Sequence, residues 1–206
     1  MHARRGRRSR SGRRARPPPG ADSAEALLEV QRSARRRGLA VAGSPRRPLE
    51  ALGGLPKLAA LELDLTECML GAEEAAALAG VLARLQKLTR LKLNLWQNDQ
   101  LGAEGWRSLA EALGGLPKLA ALGLDLRECK LGAEEAIALA GALGNLAELR
   151  ELKLNLFDNQ IGLQGCLALA GALRRLPALA KLYADFRRCV GDHRALSRGD
   201  RRGRPT

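Results

Sequence analysis

Aromatic side chains are scarce in this chain of 206 residues: Trp96, Trp106, Phe157, Tyr183 and Phe186 are all there are. A core with so few large rings must be assembled from many similar aliphatic pieces, and the 46% hydrophobic fraction is mostly Leu and Ala. Long apolar runs are also missing. A bilayer-spanning helix needs about 18 or more consecutive apolar residues, so no membrane segment is expected. The basic N-terminus has no apolar stretch behind it, so no secretory signal is expected either. Four cysteines in a chain of this size do not make a disulfide framework, and the simplest expectation is a reducing, cytoplasmic location. Histidine occurs only at His2 and His193. No Ser-His-Asp or Cys-His set, no metal-ligand spacing and no phosphate-cradling glycine loop can be assembled. No catalytic residue, metal or cofactor is therefore expected, and the chain does not read as an enzyme. The acidic pairs Glu73-Glu74 and Glu134-Glu135 recur at one helix start, where they suit the helix dipole better than paired acid-base work.

Lysine is absent from both ends of the chain, although the formal net charge is +13. Residues 1–48 carry 14 Arg against three acids, residues 49–186 carry 14 basic against 17 acidic residues, and residues 187–206 carry 7 Arg against two acids. The body is slightly acidic, and the basicity sits in two arginine-rich tails. Residues 1–22 hold eight Arg and a Pro-rich stretch and read as a disordered tail. Residues 23–48 hold a candidate helix over 24–37, N-capped by Ser23 and closed by Gly38, followed by a Pro-broken linker. That helix either covers the first end of the body or is itself a loosely ordered linker. Residues 191–206 read as a second disordered basic tail.

What is present in quantity is repetition. The run Leu58-x-x-Leu61-x-Leu63-x-Leu65-x-x-Cys68-x-Leu70-Gly71 recurs from Leu88, Leu119 and Leu149, with a degenerate copy from Leu179, at spacings of 30, 31, 30 and 30 residues. A repeat of this length marks stacked units, none of which buries its own apolar face alone. Leu61, Leu63 and Leu65 alternate with polar or small residues, the period of a strand. Leu70-Gly71 makes a turn, and Ala75, Leu78, Ala79 and Leu82 then share one helical stripe. Parallel strands on one side and helices on the other follow, and the wider helical layer bends the stack.

These residues resemble leucine-rich repeats of the ribonuclease-inhibitor type over residues 49–190, about 4.5 repeats. The extra Leu-x-Leu-x-Leu alternation is similar to extended-strand repeats of some protist proteins. The resemblance implies an α/β fold: a right-handed curved leucine-rich-repeat solenoid, with parallel strands on the concave face and helices on the convex face. It also implies that the usual Asn position serves the turn from inside the stack. Here that position alternates as Cys68, Asn98, Cys129, Asn159, Cys189, and a thiol bonds only weakly. Cys68 and Cys129 are two repeats apart, roughly 10 Å, beyond disulfide reach. They read as packed structural thiols, as does Cys166. A second period of 61 residues marks duplication of a two-repeat unit.

Stacking puts equivalent outward residues in columns. The second column is Glu62, Lys92, Gly123, Lys153, Tyr183, the third Asp64, Asn94, Asp125, Asn155, Asp185, and the fourth Thr66, Trp96, Arg127, Phe157, Arg187. Asn between Asp residues avoids like-charge neighbours and can donate to carboxylates. Trp96 and Phe157 either anchor a partner, flanked by charge, or fold over the strand ends as packing. Trp106 is expected near the core. The expected contact set is Trp96, Phe157, Lys92, Lys153, Asn94, Asn155, Asp64, Asp125, Arg127 and Tyr183. The expected function is non-enzymatic binding of an unidentified protein on the concave sheet. Two rivals stand beside it. One is a nucleic-acid or ribosome-associated protein acting through its tails, which equally read as a nuclear or organelle address or as plain composition. The other is a regulatory fragment of a larger receptor or GTPase-regulating protein. The decayed fifth repeat also admits end-to-end self-association.

Overall fold

The structure, a computed structural model, describes residues 57–189. The expected helix over 24–37, its linker, both tails, and residues 49–56 and 190 of the array lie outside the described residues. Each described repeat supplies one short strand and, except the last, one helix. They run β1 (Ala60–Asp64), α1 (Ala72–Leu82), β2 (Arg90–Asn94), α2 (Gly102–Gly114), β3 (Ala121–Asp125), α3 (Ala133–Gly144), β4 (Glu151–Asn155), α4 (Gly162–Arg174) and β5 (Lys181–Asp185). The strands form one parallel sheet in sequence order, β1-β2-β3-β4-β5. A helix is the natural connection between parallel neighbours, because the chain must cross back the length of a strand. The fold is therefore α/β.

Register follows the repeat spacing. Ala60 lies opposite Arg90, Leu61 opposite Leu91 and Asp64 opposite Asn94, and the same frame holds through to Asn155 opposite Asp185. Leucines consequently stack on leucines. Leu61, Leu91, Leu122 and Leu152 are all buried, as are Leu63, Leu93, Leu124 and Leu154 one step further on. Removing a leucine side chain from water contributes about 2 kcal/mol, and the array repeats this at every level.

The extra alternation has a structural reason. The hydrogen-bond ladder continues past the strand ends: Leu65 N–H donates to Asn94 C=O and Glu67 N–H to Trp96 C=O, both at 2.9 Å. Gln97, Glu128 and Asp158 donate in the same way to the carbonyls of Arg127, Phe157 and Arg187. A third leucine, at 65, 95, 126 and 156, is thereby drawn into the core.

The helices alternate in kind with the 61-residue period. In α1 and α3 a carboxylate closes the first turn: Glu74 Oε2 accepts Gly71 N–H at 3.1 Å, and Glu135 Oε2 accepts Gly132 N–H at 2.9 Å. This is half of a capping box, since glycine offers no side chain in return. In α2 and α4 glycine stands in that glutamate's place. A Cβ on Gly105 would lie 3.0 Å from Ala75 Cβ, and one on Gly165 would lie 2.8 Å from Ala136 Cβ. At their first turns the helices therefore approach closely as α1 with α2 and α3 with α4, whereas α2 meets α3 at its last turn, where a Cβ on Gly114 would lie 3.1 Å from Ala142 Cα.

Candidate functional site

The turn after each strand positions the exposed residues. In every repeat the residue before the Cys/Asn position is left-handed without being glycine: Glu67, Gln97, Glu128, Asp158 and Arg188 have φ between 52° and 60°. That conformation costs on the order of 1 kcal/mol for an ordinary side chain, so the turn must be held by other bonds. Asn98 and Asn159 hold it. The Asn159 Oδ1 accepts from Cys129 N–H at 3.2 Å and Leu131 N–H at 3.0 Å, and its Nδ2 donates to Leu126 and Leu156 C=O, each at 2.8 Å. Asn98 likewise accepts from Leu70 N–H at 3.0 Å and donates to Leu65 and Leu95 C=O.

The cysteines do part of the same work. Cys129 Sγ donates to Leu95 C=O at 3.0 Å and Cys189 Sγ to Leu156 C=O at 2.8 Å, so each thiol reaches the preceding repeat. Among the described residues Cys68 reaches Thr66 C=O, at 3.4 Å. Burial pushes the Cys129 thiol up to about 12 and the Cys189 thiol up to about 11, and raises Cys68 and Cys166 as well. All four cysteines are free thiols. Held protonated, they are poor nucleophiles, and Cys68, Cys129 and Cys189 act as hydrogen-bond donors.

The third column behaves differently from expectation. The side-chain oxygens of Asp64, Asn94, Asp125, Asn155 and Asp185 each turn back on the N–H two residues ahead, at 3.0–3.4 Å. These are Asx turns that shape the strand exits. The amide oxygens of Asn94 and Asn155 are thus spent on this local bond, because a backbone donor two residues away is held in place at no further ordering cost. The free carboxylate edges of Asp125 and Asp185 take the guanidinium forks of Arg127 and Arg187, with closest approaches of 2.7 and 2.6 Å. The Arg187 fork holds the Asp185 carboxyl down at about 2.

Those forks aim the arginines over the aromatic rings of the fourth column. Arg127 lies 4.7 Å from the Trp96 ring centre, and Arg187 and Arg188 each lie 5.6 Å from that of Phe157. Trp96 Nε1 donates to Glu128 Oε1 at 3.2 Å. Trp96 and Phe157 are half-buried, each flanked by arginine from the next repeat. Packing and exposure are thus combined in one stack, and the 61-residue unit repeats it. Beside the stacks, Lys92 pairs with Glu62 and its stem lies across Gly123, where a Cβ would be 3.5 Å away. Lys153 lies 3.3 Å from Glu151 and 5.6 Å from the Tyr183 ring centre. Trp106 is buried among the core leucines, and Cys166 packs against the core.

A groove of about 620 Å³ runs along the turns of successive repeats, lined by Glu67, Asp99, Glu128 and Asp158, with Met69 and Lys130. Lys130 Nζ lies 2.6 Å from Asp99 Oδ2 and lowers its pKa. The sequence signal for this groove was the acidic or polar residue before each Cys/Asn position. Among the described residues no cluster of ligands fit for a metal occurs, and no helix is long and apolar enough to cross a membrane.

No family model matches the chain, and no curated protein matches it. Among solved structures it is similar to one titled leiomodin-1 actin-binding site 2, at 17% identity and a TM-score of 0.53, covering 71% of this chain and 82% of that one. It is also similar to the tropomodulin C-terminal domain of Caenorhabditis elegans, at 15% identity and a TM-score of 0.53, covering 73% of this chain and 87% of that one. At such identities the likeness is one of fold: parallel strands and helices in alternation.

Proposed function

We propose that this chain is a non-enzymatic protein-protein interaction module, built as a curved, right-handed leucine-rich-repeat solenoid of the ribonuclease-inhibitor type, which takes its partner on a concave sheet. The observation that carries the reading is the twofold occurrence of an arginine-covered aromatic, Trp96 with Arg127 and Phe157 with Arg187. Trp, Tyr and Arg dominate binding hot spots, and side chains already locked by forks and Asx turns lose little freedom on binding. Lys92, Lys153, Asn94, Asn155, Asp64, Asp125 and Tyr183 frame the stacks. A mixed-charge protein surface suits this frame better than a nucleic acid does, since acids and bases alternate across it. The non-enzymatic reading is supported by how the reactive groups are engaged, with thiols held protonated and carboxylates tied into turns and forks. Free thiols suit a reducing compartment, the cytoplasm.

Affinity capture with the full chain after nuclease treatment tests this reading, with Trp96→Ala/Phe157→Ala beside the wild type. A protein partner retained by the wild type and lost by the double variant supports the sheet as the binding surface. Binding that the variant leaves unchanged and nuclease abolishes moves the function to the arginine tails. Actin is a defined protein to include by co-sedimentation, because one structural neighbour carries an actin-binding title.

A further inference from the structure

The last strand ends the described sheet with apolar residues in view. β5 pairs only with β4 among the described residues. Leu182 is 46% exposed, although its counterparts Leu61, Leu91, Leu122 and Leu152 are buried, and Tyr183 is 60% exposed. Beside it on α4, Leu163 and Leu167 are exposed too. Leu163 takes the place that Ala72 and Ala133 hold in α1 and α3, where each backs onto the glycine of the following helix.

The hydrogen-bond phase of β5 is known. Lys181 N–H donates to Arg150 C=O and Asp185 C=O accepts from Leu156 N–H, both at 2.9 Å. In a parallel ladder such residues alternate. Residues 181, 183 and 185 therefore point their backbone groups at β4, and Leu182 and Ala184 point theirs outward. Two copies of β5 can then meet antiparallel with Leu182 opposite the second copy's Ala184 as hydrogen-bonded pairs, giving four intermolecular bonds. This register has its two-fold axis at Tyr183. It sets Lys181 opposite Asp185 of the other copy, twice, and places Leu182 against Ala184 on the helix side. Sliding one copy so that Ala184 faces Ala184 would set Lys181 against Arg187, and centring on Leu182 would face Lys181 with Tyr183. Of these three registers only the one centred on Tyr183 matches charge with opposite charge, with Lys181 of the second copy joining Arg187 at the Asp185 carboxylate. A two-fold axis normal to the sheet also keeps both helix layers on one side, so α4 of each copy turns Leu163 toward the other.

We propose that β5 is a homodimerisation edge: two chains join antiparallel, centred on Tyr183, so that their described strands form one continuous sheet. The occupant of the exposed edge is a second copy of this chain, because the strand KLYAD is complementary to itself in charge and in hydrogen-bond phase. The joined sheet would present two sets of aromatic-arginine stacks, although the dimer does not depend on what those stacks bind.

The test is the mass of the full chain in solution by light scattering or sedimentation. The wild type is expected at twice 22.1 kDa. Lys181→Glu and Asp185→Lys each turn both symmetric pairs repulsive, and each alone is expected to raise the dissociation constant roughly tenfold or more. Mixed in equal amounts they should recover the dimer, because every cross pair is then opposite in charge. A wild type that stays at 22.1 kDa at high micromolar concentration overturns the proposal, and so does a dimer that mixing the variants does not restore. Should either charge variant fail to fold, Tyr183→Cys decides. Directly opposed residues of a non-hydrogen-bonded antiparallel pair have Cα atoms about 4.5 Å apart, within disulfide range. A covalent dimer on mild oxidation, absent from the wild type, supports the edge; its absence overturns it.

Discussion

Asn159 and Cys129 hold the same place in successive repeats and make unequal numbers of bonds. The amide both accepts from two backbone N–H groups and donates to two buried carbonyls, whereas the thiol donates and accepts nothing. Deleting a partner from a buried backbone group leaves that group unsatisfied at about 1–3 kcal/mol. Asn159→Ala orphans several such groups at once, so it should lower stability by about 3 kcal/mol or more. Cys129→Ala removes one weak donor and a small volume and should cost about 1 kcal/mol. Urea unfolding of the two variants measures the difference, and equal midpoints would contradict the asymmetry. The alternation of Cys and Asn was legible as a pattern from the repeat alone. Its consequence was not, because whether a thiol reaches the next carbonyl depends on the stacking distance. The Asx role of Asp64, Asn94 and Asp125 is hidden in the sequence for a related reason. A column suggests contacts between strands, but the nearest donor to each carboxylate or amide oxygen is its own backbone two residues on.

The glycines divide the helices into two kinds, and this sorting is invisible in a helical wheel. Gly105 and Gly165 sit where a Cβ would meet Ala75 or Ala136 of the preceding helix, whereas Gly141 in the interior of α3 has nothing within 4 Å. Alanine should therefore act with opposite sign at the two sites. Gly165→Ala places its Cβ 2.3 Å from Ile161 Cγ2 as well as against Ala136. The isoleucine can rotate, but the alanine methyl moves only with its helix. Overpacking of this sort costs about 1–3 kcal/mol. Gly141→Ala meets no obstacle and removes freedom from the unfolded chain, for a gain of about 0.5–1 kcal/mol. Thermal melts of the two single variants check the signs, and a stabilised Gly165→Ala would mean that α3 and α4 are less closely packed than described. Strand, turn and helix were readable from the Leu spacing and the Leu-Gly turns. Which helices approach at their first turns was not, although the 61-residue period carried the clue: glutamate in one repeat and glycine in the next.

At the scale of the whole array, each repeat is stabilised by its two neighbours, so the same side chain should be worth less where one neighbour is missing. The register of the sheet was legible in full from the repeat spacing, because a single leucine frame runs from Leu61 to Leu182. The acidic groove was not, since it is made by turns from several repeats and no one repeat contains it. Leu152 and Leu182 give the cleanest comparison of position in the array: they face each other in β4 and β5, one fully buried and the other 46% exposed. Leu152→Ala removes a packed side chain from between two strands and should cost about 3 kcal/mol. Leu182→Ala in the monomer removes a side chain already half in water and should cost about 1 kcal/mol or less. The two values respond differently to concentration. If β5 joins a second copy, Leu182 gains a neighbour in the dimer, and its alanine variant should lose more stability as protein concentration rises, because association stabilises only the folded state. Leu152 has its neighbours in both forms, and its cost should stay constant. Unfolding curves for both variants over a hundredfold range of protein concentration would show whether the end of the array behaves as an edge or as part of the core.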